Sequence, residues 1–130
     1  VRCKEYRIDS GGAGRQRGGL GQRCEVQNLN SKPVQVTLLA DREHHPALGI
    51  AGGLAGAPAA ATLGAKPLNL KGKFSLPPGE SVSLLFAGGG GFGDPRERDP
   101  AQLQRDIALG FVSAEAAQRD YGINTLEASA

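Results

Sequence analysis

The chain has 130 residues, enough for one domain, and its 20 glycines are about twice the share of an average protein. The glycines show no period of three, which excludes a collagen, and no apolar stretch approaches the ~18 residues of a membrane-spanning helix. The net charge is only +2, and two tyrosines with four phenylalanines offer few rings for base stacking, so the composition disfavours a nucleic-acid-binding domain.

Most of the chain alternates between strand patterns and glycine-dense breaks. Residues 11–21 form a loop with six glycines. Residues 47–64 are rich in glycine and alanine, and we expect a long ordered loop there, with a low-complexity linker as the alternative. Alternation of apolar and polar residues predicts strands over residues 2–8, about 22–29, 34–40, 66–76 (as one or two short strands) and 81–87.

The periodicity changes from strand to helix near the end of the chain. Asp99 followed by Pro100 is typical of a helix start, and Gly110 is placed to end that helix. Ser113 predicts the start of a second short helix, which Gly122 would end. The residues expected to pack inward are Leu103, Ile107, Ala116, Ala117 and Tyr121.

These elements predict a mainly β fold, either a β-sandwich or a distorted barrel, with a small C-terminal helical pair. We expect one compact unit, made of a glycine-rich β domain over residues 1–98 and a helical hairpin with a tail over 99–130. The chain starts at Val1 with a charged, strand-like segment. We therefore expect it to be the C-terminal part of a longer protein.

The two cysteines, Cys3 and Cys24, are too few for a disulfide scaffold, and the chain lacks a Cys-x-x-Cys motif. The chain also lacks an Asn-x-Ser/Thr glycosylation site. We expect two free thiols and a cytoplasmic location.

Gly88, Gly90 and Gly93 match the Gly-x-Gly-x-x-Gly spacing of dinucleotide-binding loops. Asp94 and Pro95 follow at the place where the pyrophosphate would need a helix N-terminus, so the spacing is weak evidence for a dinucleotide site. We interpret the run as a close backbone crossing that only glycine tolerates.

The loop at 11–21 carries Arg15 and Arg17 among glycines whose amides could converge on an anion. If the loop is extended, their spacing of two directs both guanidiniums to one side, as a cradle for phosphate or carboxylate. The alternative is that both arginines bind the chain's own acidic segment, Asp94–Asp99, with Arg98 bridging back to the loop.

His44 and His45 are the two histidines of the chain. Adjacent side chains on a strand point to opposite faces, so the pair is a poor chelate for one metal ion. Asp41 and Glu43 lie nearby, and a metal site is conceivable, but a solvated loop is our expectation. No motif of a known nucleophile or metalloprotease is present, and catalytic residues are not identified.

Several segments, in order along the chain, resemble the hydantoinase B/oxoprolinase family. Residues 9–21 resemble the family's Gly-Arg-x-Arg-Gly-Gly signature, and residues 88–95 with 98–100 resemble its glycine run. Residues 106–122 are similar to the family's closing segment, and the Gly-Gly-x-x-Gly pattern at 52–56 fits the loop between. The resemblance extends over nearly the whole chain.

The resemblance implies a part in ATP-dependent chemistry. Hydantoinases and oxoprolinases of this family open a cyclic amide after ATP phosphorylates its carbonyl oxygen, and related members carboxylate ketones such as acetone and acetophenone. An A-type subunit or domain handles ATP, and the B-type part completes the site. ATP and a divalent metal are implied for the parent enzyme, with none held by this fragment, which we expect to be inactive alone.

The partners implied are the remainder of the B-type subunit and the A-type ATPase, with no nucleic acid or membrane. The alternatives are an assembly module that joins the A and B parts, or the corresponding domain of a ketone carboxylase. The residues proposed to face a phosphate or an interface are Gly12, Gly14, Arg15, Arg17, Asp94 and Arg98.

Overall fold

The computed structural model describes residues 1–122, which form seven strands, one short 3₁₀ helix and two α-helices. The strands are β1 (Cys3–Tyr6), β2 (Gln22–Gln27), β3 (Val34–Leu39), β4 (Ala60–Leu63), β5 (Lys66–Pro67), β6 (Lys71–Leu76) and β7 (Ser81–Leu85). The 3₁₀ helix spans Pro95–Glu97, and the α-helices are α1 (Pro100–Ala108) and α2 (Ala114–Tyr121). The tail that we assigned to the unit 99–130 lies outside the described residues.

The strands form two antiparallel sheets. The larger sheet has the order β1-β2-β7-β4-β5, and β3 pairs with β6 in a second sheet. Leu38 of the small sheet and Leu84 of the large sheet pack against the same buried cluster, Ala59, Ala61 and Leu70. Neither sheet closes on itself within residues 1–122. The mainly β fold with a small helical pair is confirmed, in an open form and not as a barrel.

Strand β4 lies inside residues 47–64, where we predicted only a loop. It pairs with β7, and Ala61 stands opposite Leu84. Ala61 is 3% exposed, so this strand buries a methyl group where most strands bury a large apolar side chain. Alanine is depleted in strands, and its small side chain weakens the alternation signal. The loop prediction was therefore wrong at these four residues.

Three glycine-rich segments lie backbone against backbone, namely residues 10–21, 47–57 and 86–93, which we call the glycine bundle. The Gly12 N–H donates to the carbonyl oxygen of Gly89 (2.8 Å), and the Gly91 N–H donates to that of Leu54 (2.9 Å). Such bonds satisfy main-chain groups that no regular sheet pairs. Main-chain hydrogen bonds thus hold together segments that are far apart in the chain.

At most of its glycines the bundle leaves no room for a side chain. A Cβ at Gly88 would overlap the carbonyl oxygen of Ser10, and a Cβ at Gly91 would overlap that of Ala13. A Cβ would also come within 3.0 Å of a backbone atom of another bundle segment at Gly12, Gly14, Gly18, Gly21, Gly53, Gly56 and Gly90. The close crossing predicted for residues 88–93 is confirmed.

The helical pair begins and ends as its capping residues predict. The Asp99 carboxylate accepts the Ala101 N–H (3.0 Å) before α1, and the Ser113 hydroxyl accepts the Ala116 N–H (3.1 Å) before α2. Gly122 ends α2 with a φ of 70°. The helices share a buried cluster with one side chain of the glycine bundle, its members being Ala13, Leu103, Val112, Ala116, Ala117 and Tyr121.

Replacement of a bundle glycine tests this packing. Gly88→Ala should lower the free energy of unfolding by about 3 kcal/mol, because the new methyl group meets backbone that cannot move aside. Gly19→Ala is the matched control, since a Cβ at Gly19 has nothing within 4 Å. The control should change stability by about 1 kcal/mol at most. Urea denaturation measures both, and equal effects of the two substitutions would contradict backbone contact at Gly88.

Candidate functional site

Two arginines converge on one buried carboxylate where the glycine bundle meets the helices. Arg17 Nε donates to Asp106 Oδ2 at 3.1 Å, and Arg98 Nη2 donates to the same oxygen at 2.8 Å. The side chains of Arg17, Arg98 and Asp106 are 17%, 8% and 7% exposed. We call these three residues the arginine cluster.

Different elements supply the members of the cluster. Arg17 leaves the first segment of the bundle, Arg98 follows the 3₁₀ helix, and Asp106 lies on the inner face of α1. Asp94 shapes the approach of Arg98, because its carboxylate accepts the Arg96 N–H (2.9 Å) and caps the 3₁₀ helix. The cluster therefore ties the helical pair to the bundle.

One further nitrogen of each guanidinium binds a backbone carbonyl of the chain itself. Arg17 Nη1 donates to the carbonyl oxygen of Gly18 (2.9 Å), and Arg98 Nη1 donates to that of Arg15 (3.1 Å). The Arg17 guanidinium also lies 5.6 Å from the ring centre of Phe111. Two cations on one buried anion leave a positive excess that these dipoles and the ring offset. This arrangement suits an anchor better than a site that binds and releases substrate.

Arg15 and Arg17 do not act as a pair. The Arg15 side chain is exposed and its guanidinium lies 5.9 Å from the ring centre of Phe92, whereas Arg17 faces Asp106. The alternative in which both arginines form ion pairs with Asp94–Asp99 is also wrong. Asp94 and Asp99 instead cap helices, and no carboxylate among residues 1–122 forms an ion pair with Arg15. The hydrogen bond from Arg98 back to the glycine loop was expected and is present.

Gly12 and Gly14 are buried, and each lies against another segment of the bundle. A Cβ at Gly12 would overlap the Leu54 carbonyl oxygen, and a Cβ at Gly14 would come 2.7 Å from the Phe92 nitrogen. Their position is that of packing glycines. Whether either faces a phosphate in a larger assembly stays a prediction.

Asp106 is the member of the cluster that sequence reasoning missed. It stands three residues after Leu103 on the buried face of α1 and is 5% exposed. An acidic residue on the apolar face of a predicted helix needs a buried cation, and this is the signal that could have identified it.

Tyr121 lies in the helical cluster beside these charges and is 4% exposed. Burial raises the pKa of its hydroxyl, and the guanidinium of Arg98 offsets part of that rise. Among the described residues, Arg98 Nε has no hydrogen-bond partner.

The implied metal ion finds no ligand set in the described part of the chain. Residues 1–122 contain no group of three or more His, Cys, Asp or Glu side chains that could hold a metal ion. His44 is exposed, with its Nε2 atom 3.6 Å from Glu43 Oε2. Asp41 Oδ1 lies 3.1 Å from Lys71 Nζ. The residues of the arginine cluster are likewise paired with one another.

Cys3 and Cys24 are free thiols on neighbouring strands, as predicted. Arg23 Nη1 donates to Cys3 Sγ at 3.2 Å. Among the described residues, no helix has the length and apolar character to cross a bilayer.

Comparison with known proteins places this fold in a larger context. The sequence profile described as hydantoinase B/oxoprolinase matches residues 1–95. An uncharacterised protein of Methanocaldococcus jannaschii is 35% identical over 125 residues, which are 93% of this chain and 22% of that protein. Caprolactamase subunit beta of Pseudomonas jessenii is 31% identical over 136 residues, which are 88% of this chain and 21% of the subunit.

Solved structures share the same fold. The ATP-dependent caprolactamase from Pseudomonas jessenii superimposes with a TM-score of 0.77 at 28% identity, over 95% of this chain and 23% of that one. The nucleotide-free acetone carboxylase gives a TM-score of 0.74 at 23% identity, over 92% of this chain and 21% of that one, and shows similarity of fold alone. The chain thus spans about a fifth of the length of the curated relatives that it matches.

Removal of the shared anion tests the arginine cluster. Asp106→Asn should lower the free energy of unfolding by about 3 kcal/mol, because it leaves two largely buried guanidiniums without a charged partner. Asp41→Asn is the control, since the Asp41–Lys71 pair is exposed and should contribute less than about 1 kcal/mol. Urea denaturation at neutral pH measures both. A loss for Asp106→Asn no larger than that of the control would contradict the anchor.

The raised pKa of Tyr121 predicts a loss of stability in alkali. Above the ordinary tyrosine pKa of 10.0 the unfolded chain releases this proton while the folded chain keeps it, so stability falls as pH rises through that value. Tyr121→Phe should remove this part of the fall, and Tyr6→Phe should not, because Tyr6 is 64% exposed. Thermal unfolding between pH 8 and pH 11 compares the variants, and identical pH profiles would refute the assignment.

Proposed function

The chain belongs to the hydantoinase B/oxoprolinase family, and we propose that it is the C-terminal domain of a B-type subunit in an ATP-dependent enzyme that opens a cyclic amide. The family profile covers most of the chain, and the caprolactamase structure contains the same fold. The relative from Pseudomonas jessenii is a beta subunit, which supports a partner subunit for the parent enzyme. We propose an A-type ATPase as that partner.

Within this enzyme the domain organises the assembly and leaves bond-breaking to other parts. The observation that carries this proposal is the arginine cluster, in which Asp106 occupies the guanidiniums of both Arg17 and Arg98. Arg17 and Arg98 were candidates for binding a phosphate, but their charges are instead used to stabilise the fold. On this account ATP, the metal ion and the reacting groups belong to the rest of the assembly, and the chain alone is inactive.

The location proposed for the parent enzyme is the cytoplasm. The free thiols of Cys3 and Cys24 suit a reducing compartment. The proposed use of ATP suits a compartment that supplies nucleotides. A ketone carboxylase is the second candidate for the parent, and the acetone carboxylase fold favours it by architecture alone.

Assays of the parent complex, with B-type and A-type parts together, distinguish the candidates. We expect ATP hydrolysis to accompany ring opening of at least one cyclic amide among hydantoin, 5-oxoproline and caprolactam. The isolated chain, supplied with the same substrates, ATP and Mg²⁺, should show no turnover. ATP-dependent and bicarbonate-dependent consumption of acetone without ring opening would favour the carboxylase, and turnover by the isolated chain would contradict the organising role.

A further inference from the structure

Three large apolar side chains stand exposed beside one another on the outside of the glycine bundle. Leu48, Ile50 and Phe92 are 77%, 67% and 45% exposed, and we call them the outer apolar row. Ile50 and Phe92 form a parallel β-bridge. In it the Ile50 N–H donates to the carbonyl oxygen of Gly91 (3.0 Å), and the Gly93 N–H donates to the carbonyl oxygen of Ile50 (2.9 Å). Paired residues of a bridge project to the same face, so the two side chains are neighbours.

The bundle itself explains why these side chains have no cover. Gly49 lies between Leu48 and Ile50, and its Cβ position meets the backbone of Gly53. Gly91, next to Phe92, likewise faces the backbone of Ala13. Because extended residues alternate between faces, Leu48 and Ile50 on either side of Gly49, and Phe92 after Gly91, project away from these contacts. Backbone occupies these inward positions and the row is exposed among residues 1–122, so a surface outside the described domain is needed to bury it.

A cation and an amide border the row. Gln16 pairs with Phe92 in an antiparallel bridge, and the Arg15 guanidinium lies 5.9 Å from the Phe92 ring centre. Arg15 has no ion pair with a carboxylate of residues 1–122, in contrast to Arg17 and Arg98. A complementary surface would therefore be apolar at its centre with a carboxylate placed to meet Arg15.

We propose that the outer apolar row is the surface against which the rest of the same B-type polypeptide packs, with a carboxylate of that polypeptide facing Arg15. The matched relatives continue for about four-fifths of their length beyond the region similar to this chain. In the caprolactamase structure the same fold occupies 23% of one chain. Contiguous exposed apolar side chains are the usual mark of an interface. The inference rests on the proposed function only in assigning the chain to a longer B-type polypeptide.

The test introduces a charge at the centre of the row in two settings. Ile50→Asp in the isolated chain should leave the melting temperature unchanged, because Ile50 is exposed there. The same substitution is then made in the intact B-type polypeptide without its ATPase partner. There, a protease should release the domain at a protease concentration about tenfold lower than the wild type requires. Arg15→Glu should act in the same direction, since it opposes the expected carboxylate.

Leu29→Asp is the matched control, because Leu29 is 85% exposed and lies in the turn between β2 and β3. Leu29→Asp should change neither the melting temperature of the isolated chain nor the protease sensitivity of the intact polypeptide. Ile50→Val should behave like the wild type in both settings, which separates loss of apolar contact from any change at this position.

The other outcomes overturn the proposal. Unchanged protease sensitivity of the intact polypeptide would mean that this polypeptide does not cover the row. An effect seen only in the complex with the ATPase would assign the row to the ATPase subunit. A wild-type isolated chain that dimerises, with a monomeric Ile50→Asp variant, assigns the row to a second copy. Destabilisation of the isolated variant would place Ile50 in the domain's own core. Parallel assays of ATP-dependent turnover in the wild-type complex separate failure of the proposed function from failure of this interface.

Discussion

Main chains in close contact are the constraint on which the rest of this molecule depends. Where residues 10–21, 47–57 and 86–93 cross, carbonyl oxygens stand where side chains would begin, so only glycine fits. The backbone freedom that these glycines lose on folding is a large entropic cost. Cross-segment hydrogen bonds such as Gly12 to Gly89 help to offset it, together with the small apolar clusters on either side of the bundle.

The arginine cluster extends this order from the bundle to the helices. Asp106 on α1 binds a guanidinium from the bundle and another from the chain that follows the 3₁₀ helix, so three elements share one electrostatic contact. A buried pair of this kind adds little net stability compared with an apolar core, but breaking it is costly. The helical pair is consequently held in one orientation, and the backbone carbonyl of Arg15 is fixed by the same contact. The exposed outer apolar row lies on the outside of the bundle that this contact joins to the helices.

Local chemistry could be predicted from the sequence, and long-range pairing could not. Asp99, Ser113 and Gly122 act through bonds to near neighbours, and the glycine run at 88–93 indicated a backbone crossing by composition alone. The family was identified from the order of its motifs. The Arg17–Asp106 contact joins residues 89 positions apart, and several acidic residues were equally plausible partners for Arg17. Strand β4 was not predicted because Ala61, its buried residue, has only a methyl group and gives no clear alternation of apolar and polar residues.

Hydrogen–deuterium exchange of the isolated chain measures the central claim most directly, because it reports each main-chain hydrogen bond separately. The account predicts that the amides of Gly12, Leu54 and Gly91 are protected as strongly as those of Arg23 and Glu25 in β2, and that those of the turn at residues 29–32 exchange quickly. Exchange of the three bundle amides at the rate of that turn would show that the glycine segments do not hold one another, and would contradict the account.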